Sequence, residues 1–194
     1  MANAAAREEK AKLSADDWCD AALDVIFESG VTAVAVESLA RRLGVTKGSF
    51  YWHFANRDAL LTATLERWEA EDWRIFERSL SLYRNPHDKM RAMIKRTRKE
   101  VRSHVLFCAL FMAVDQPLVA AVMARVSQRR IDFLRAGFEE LGLEPAEAHH
   151  RARLTFMAYV GFLQYYQNFK DARMPLEELD EYVDHVVRTL VPTA

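Results

Sequence analysis

Between Lys47 and Phe54 the chain reads Lys-Gly-Ser-Phe-Tyr-Trp-His-Phe. If this stretch is helical, Phe50 and Phe54 share its inward face. Lys47, Gly48, Ser49, Tyr51, Trp52 and His53 are then left outside. A helix that merely faces water would carry several charges here. This one carries a single cation among small, hydroxylated and aromatic residues, a set that suits a nucleic-acid groove. Lysine and tyrosine reach phosphate oxygens, glycine lets a backbone approach closely, and serine and histidine can meet base edges. The alternative is a helix used only for packing, in which case Tyr51 and Trp52 need another protein surface over them.

The neighbouring elements are placed to present this stretch. Val36, Leu39, Ala40 and Leu43 recur at i, i+3, i+4 and i+7, the spacing of one helix face. Gly44 then sits where a helix ends in the left-handed conformation. Val45 plugs the corner, and the hydroxyl of Thr46 is placed to cap a second helix running to about Phe54. Two short helices with a tight turn form a helix-turn-helix, whose second helix enters the major groove. Ahead of it, Ser14 opens a first helix, with Asp17 completing an approximate capping box. Trp18, Ala21, Ala22, Val25 and Ile26 form its inner stripe, Phe27 lies alongside, and Gly30 ends it. Behind it, Asn56 caps a fourth helix running to about Arg84, where Asn85-Pro86 stops it. At ~1.5 Å per residue that helix is about 40 Å long. Its first turns are expected to complete the thin three-helix core, and its later turns (Trp68, Ile75, Phe76, Leu80) to pack elsewhere, making it a lever between two domains.

The segment resembles the TetR family of bacterial transcriptional regulators. The resemblance rests on Gly30, Leu39-Ala40, Leu43-Gly44-Val45-Thr46, Gly48, Phe50-Tyr51, His53-Phe54, Asn56-Arg57-Asp58 and Leu60, and covers roughly the first third of the chain. Where that family often has Thr or Ser before the first of these helices, this chain has Val34 and Ala35. Where it usually has Lys at the start of the following helix, Arg57 keeps the charge. The resemblance implies an all-α protein with an N-terminal helix-turn-helix and a C-terminal helical ligand-binding and dimerisation domain. It implies DNA contacts from Arg42, Thr46, Lys47, Gly48, Ser49, Tyr51, Trp52, His53 and Arg57. It also implies an effector that shifts the DNA-binding helices. The expected organisation is a flexible arm over 1–13, the DNA-binding domain over 14–55 and the effector domain over 56–194. The arm carries Arg7, Lys10 and Lys12, and either reaches DNA or is a plain disordered tail.

Charge constrains this reading. The net charge is -1, and residues 1–54 hold six Lys and Arg against eight acids, so that segment is formally -2. Binding would then lean on shape and base contacts more than on bulk charge, with the acids on the far face of the first helix and Arg41, Arg42, Lys47 and Arg57 toward DNA. The chain is 51% hydrophobic with six Gly and five Pro, which excludes disordered and fibrous classes. Two cysteines, Cys19 and Cys108, form no disulfide framework and read as buried thiols. No hydrophobic signal core opens the chain, and the apolar run Val105 to Val114 is too short to span a bilayer, so the cytoplasm is the expected compartment.

The second part is helical throughout by pattern. A helix from Pro86 to about Arg102 turns Met90, Met93, Ile94, Thr97 and Val101 inward. Its outer face is basic: a solvated face, added phosphate contacts, or a surface for an anionic partner. Val105 to Val114 is apolar all round and is expected to be a fully buried short helix. Further helices run from the Asp115-Gln116-Pro117 break to about Leu141, from about Ala146 to Phe169, and from Pro175 onward. Trp68, Phe76, Met93, Phe107, Phe111, Met112, Met123, Phe156, Tyr159, Phe162 and Tyr166 offer walls for a small hydrophobic or aromatic effector, or simply fill the core. From Leu154 to Phe169 nearly every helix face is apolar, more than one chain easily covers. Leu154, Ala158, Gly161 and Tyr165, with Leu179, Val183, Val186 and Leu190 of the last helix, therefore suggest a four-helix seam between two copies, against the alternative of ordinary internal packing.

Catalytic signatures are missing: there is no phosphate-cradling glycine loop, CxxC, HExxH or nucleophile elbow. Adjacent His149 and His150 point about 100° apart on a helix and cannot chelate one metal, and His104 reads as a core histidine. No cofactor, metal or catalytic residue is expected. The expected partners are palindromic double-stranded DNA, a second copy and a small effector, with no membrane. A repressor is the first reading. A helical enzyme or carrier using the helix-turn-helix as scaffold is the second, and it would need inward-facing paired titratable groups; these segments are expected to be poor in inward-facing acids.

Overall fold

Ser14 opens the first helix by two reciprocal bonds: its hydroxyl accepts the Asp17 N–H at 3.3 Å, and the Asp17 carboxylate accepts the Ser14 N–H at 2.7 Å. The computed structural model describes residues 13–95, 101–169 and 174–192. The expected arm lies outside the described residues but for Leu13. Among the described residues every regular element is helical. α1 is Ala15–Ser29, followed by a single 3-10 turn at Val31–Ala33; α2 is Val36–Arg42, α3 Lys47–Phe50 and α4 Arg57–Leu80. α5 is Pro86–Lys95, α6 Val101–Phe111, α7 Pro117–Glu140, α8 Pro145–Asn168 and α9 Leu176–Leu190. No helix among them is long and apolar enough to cross a membrane.

The chain divides into two compact units, Met1–Thr64 and Leu65–Ala194, with the division two turns into α4 rather than at its start. In the first unit Trp18, Ala22, Ile26, Leu39, Phe50 and Leu60 are fully buried. The opening turns of α4 thus supply part of this core, as a unit of this size requires. Asn56 starts α4 by accepting the Ala59 N–H on its side-chain oxygen at 2.9 Å. α4 stops at Leu80, short of the expected Arg84. The Ser81 hydroxyl there bonds the Arg78 carbonyl at 2.9 Å, giving the backbone a partner outside the helical ladder.

The second unit is built on α7 and α8, joined by a short turn as an antiparallel pair and sharing its most extensive helix contact. α5 packs on α7 and α9, and α6 on α7 and α8. Gly137 lets α5 approach, since a Cβ there would stand 2.7 Å from the Met90 sulfur. Two sequence expectations change here. Residues 96–100 of the expected 86–102 helix, Thr97 among them, lie outside the described residues, and Val101 and Arg102 belong to α6. The apolar run from Val105 is not a fully buried helix: it leaves the helix at Phe111, and Met112 is 66% exposed. Apolar composition measured the affinity of the segment for a core, not whether the backbone follows one.

The second unit also holds inward-facing acids, contrary to expectation. Glu69 and Asp72 on α4 are both buried. Glu69 accepts Arg125 Nη2 at 2.6 Å and Arg129 Nη2 at 3.1 Å, and Asp72 accepts Arg130 Nη2 at 2.7 Å, all three arginines lying on α7. The segments are therefore not poor in inward-facing acids, but these acids are paired with arginines.

Candidate nucleic-acid interface and effector core

The turn between α2 and α3 forms because Gly44 takes a φ of 67°. Its N–H bonds the Arg41 carbonyl at 3.2 Å, and Val45 N–H reaches back to the Ala40 carbonyl at 2.9 Å, the double closure of a left-handed helix end. α3 is shorter than expected. It is one helical turn, Lys47–Phe50, and Tyr51 to His53 continue as a hydrogen-bonded turn, with both His53 N–H and Phe54 N–H directed to the Phe50 carbonyl. The i, i+4 pair of phenylalanines is satisfied by this tighter path as well as by a longer helix. Thr46 precedes α3 in extended conformation without a side-chain cap bond, so its expected capping role is not realised. Ala35 likewise leaves the start of α2 uncapped.

Phe50 anchors the reading turn. It is fully buried, edge-on to Trp18 at 5.3 Å, with Phe54 beside it at 5.7 Å. The residues around it turn outward: Tyr51 is 56% and Trp52 82% exposed, and Lys47 and Gly48 are exposed while Ser49 and His53 are half-buried. Three of the expected cations, Lys47, Arg42 and Arg57, are engaged within the unit. Lys47 pairs with Glu37 of α2, and that hydrogen bond raises the ammonium pKa and lowers the carboxylate pKa. Arg42 makes a two-pronged pair with Glu28 at 2.7 Å and lies 3.6 Å from Asp24, and the Glu28 bond raises its pKa. The acids of α1 are therefore not all on a far face, since two of them hold Arg42. Arg57 points inward, donating to the carbonyls of Val34 at 2.7 Å and Val31 at 3.0 Å, and so ties α4 to the segment before α2.

The expected effector residues fall into three ring groups. Phe76 stacks on Trp73 with Phe133 edge-on, Phe107 contacts Phe111 and Tyr159, and Phe162 contacts Tyr166 and Tyr182. Trp68, Met123 and Phe156 are buried core residues. The side chains of Met93, Ile94 and Leu80 lie outside the described residues. Of the expected seam, Leu154, Ala158, Gly161 and Tyr165 form an exposed stripe along α8, joined by Met157. Leu179 and Val186 are half-buried, whereas Val183 and Leu190 are buried within this chain, because α9 needs one apolar stripe to pack at all. His104 is buried edge-on to Tyr159, as a core histidine. Among the described residues no group of three or more His, Cys, Asp or Glu is placed to hold a metal ion.

Residues 19–64 match the family model for bacterial regulatory proteins of the tetR family. Tetracycline repressor protein class A from transposon 1721 of Escherichia coli is 41% identical over 76 residues, 34% of this chain and 35% of that protein. The chain thus matches only about a third of the length of that curated relative. Two solved structures share the fold over most of both chains. The reduced form of E. coli NemR has a TM-score of 0.77 at 20% identity, covering 93% of this chain and 98% of that one. FadR from Bacillus subtilis, in complex with stearoyl-CoA, has a TM-score of 0.70 at 17% identity, covering 92% and 100%. The turn and the helices around it thus lie in a segment similar to the tetR family of bacterial regulatory proteins, and the helical fold of most of the chain is shared with NemR and FadR.

Proposed function

We propose that this chain is a homodimeric DNA-binding regulator of transcription. It represses from a palindromic operator and is released when a small hydrophobic or aromatic effector enters its second unit. The observation that carries the reading is the pair Tyr51 and Trp52, held outward over a fully buried Phe50 beside Lys47 and Gly48. Two large aromatics turned to water on one tight turn are unfavourable unless another surface covers them. The edges of a major groove, with thymine methyls and hydrogen-bonding bases, suit rings that carry O–H and N–H groups. Thr46, Ser49 and His53 complete that surface. Arg42 and Arg57 serve chiefly to hold it in place.

Dimerisation is supported by the α8 stripe of Leu154, Met157, Ala158, Gly161 and Tyr165, which runs at helical spacing and is exposed in a single chain. Half-buried Leu179 and Val186 of α9 would border it. Repression is favoured by the relative named a repressor, and an apolar effector by the stearoyl-CoA complex of FadR. An effector acts only if it binds the two states of the protein unequally.

Selection of bound fragments from random duplex DNA by the full chain tests the reading. An inverted repeat is expected, with half-site centres about 34–36 Å or a multiple of that apart. Absence of any enriched sequence would overturn it. A reporter placed behind the recovered site should be silenced by the protein; a rise in its expression would make the chain an activator.

A further inference from the structure

Asp72 and Arg130 sit where four helices of the second unit converge. Arg130 Nη2 donates to Asp72 Oδ2 at 2.7 Å, and Ser103 Oγ of α6 donates to the other carboxylate oxygen at 3.4 Å. The guanidinium lies over the Phe107 ring at 4.6 Å and the Tyr159 ring at 5.9 Å. Phe111 stacks beyond Phe107 at 5.9 Å. Burial pushes the Tyr159 phenol pKa up, so it remains a neutral hydroxyl. The Arg130 side chain is only 12% exposed, against 50% and 38% for Arg125 and Arg129 around Glu69.

Two features set this pair apart from a structural clamp. One turn earlier on α4, Glu69 already joins α4 to α7 through two arginines. A buried ion pair also adds little net stability, because desolvation offsets its attraction. In addition, Asp72 takes only one N–H of a planar fork that can give two parallel bonds to a carboxylate, while the same guanidinium also bonds the Tyr159 hydroxyl. A free carboxylate could replace both acceptors with two parallel bonds while its ring stacked on the Phe107 and Phe111 faces.

We propose that Arg130 is the anchor of a binding site for an aromatic monocarboxylate, with Asp72 as its built-in competitor. The proposal rests on the reading of the second unit as an effector domain and names the chemical class of the effector. Binding would take Arg130 from Asp72 and so loosen α4 from α7 at that turn. α4 is continuous from Arg57 to Leu80, so its first turns belong to the DNA-binding unit.

The test uses the full chain with benzoate and 1-naphthoate as probes, the corresponding neutral amides as controls, and sodium chloride at matched ionic strength. Binding is read by calorimetry and by the fluorescence of Trp68 and Trp73 on α4. The carboxylates should bind saturably and at least tenfold tighter than the amides. Asp72→Asn should tighten them a further tenfold, Arg130→Lys should weaken them, and Arg130→Gln should abolish them. Equal responses to acid and amide in the unmodified protein, or an unchanged carboxylate affinity in folded Asp72→Asn, would overturn the proposal. The acid–amide comparison needs no variant, so it decides the matter even if the substitutions unfold the chain. None of these readings involves DNA, so loss of the regulatory reading and loss of this one are separable.

Discussion

Lys47 cannot give its charge fully to a phosphate while Glu37 shares it. Both side chains are exposed, so their pair contributes little to folding, but under the proposed function it would set how many counterions the turn can displace from DNA. Glu37→Gln should therefore bind random-sequence duplex more tightly, with a salt slope steeper by about one. Melting should shift by no more than about 0.5 kcal/mol. Fluorescence anisotropy across a salt series reads the slope, and an unchanged slope would mean that Lys47 stays with Glu37 on DNA. Gly48 separates two reasons for a glycine. An added Cβ there meets nothing closer than the Thr46 hydroxyl at 3.6 Å, so the fold leaves room for it. Gly48→Ala should fold at least as stably, since alanine favours a helix by roughly 0.8–1 kcal/mol over glycine. It should nonetheless lose operator affinity in the same assay if the backbone itself approaches the duplex. At this scale the sequence also carries a pairing signal for the second unit. Leu65, Trp68, Asp72 and Phe76 run along one α4 stripe, as do Val126, Arg130 and Leu134 on α7. An acid and an arginine at core positions of two helices is a pairing signal, but only packing tells which acid meets which arginine.

The turn element was legible because its chemistry is local. A left-handed helix end needs a residue without a Cβ penalty, and Gly44 supplies it at φ 67°. Gly44→Val should cost about 1–2 kcal/mol or more in denaturant melts, with binding lost along with the turn. Wild-type stability in that variant would contradict the closure described at Arg41 and Ala40. The α1 cap and the Asn56 cap were legible for the same reason, since each is a side chain bonding a backbone group within three residues. Lengths were less legible. α3 and α6 differ from expectation because a period of four and an apolar run are each compatible with a backbone that has left the helix. The ring groups of the second unit depend on how α6, α7 and α8 cross, which no short window of sequence records.

For the whole molecule the proposed dimer turns on the exposed stripe of α8. Gly161 on α8 is exposed, and a Cβ added there encounters no atom within 4 Å, so a large residue disturbs nothing inside the chain. Gly161→Arg should keep its helix content and melting behaviour yet sediment as a single subunit, with operator affinity falling as the second reading head is lost. A dimer of undiminished strength would move the seam away from this stripe. The buried thiols bear on the same proposed dimer. The chain has two cysteines, both buried, and burial pushes the Cys108 thiol up to about 11. Ellman's reagent should find almost no reactive sulfhydryl in the native protein and two per chain once it is unfolded. The surface is thus chemically silent toward maleimides and methanethiosulfonates. A nitroxide attached through Thr32→Cys, on the exposed turn after α1, would then be the sole paramagnetic centre on each copy. Pulsed dipolar spectroscopy could follow the interval between the two probes in frozen solution, with and without added duplex, against no background from native sulfur.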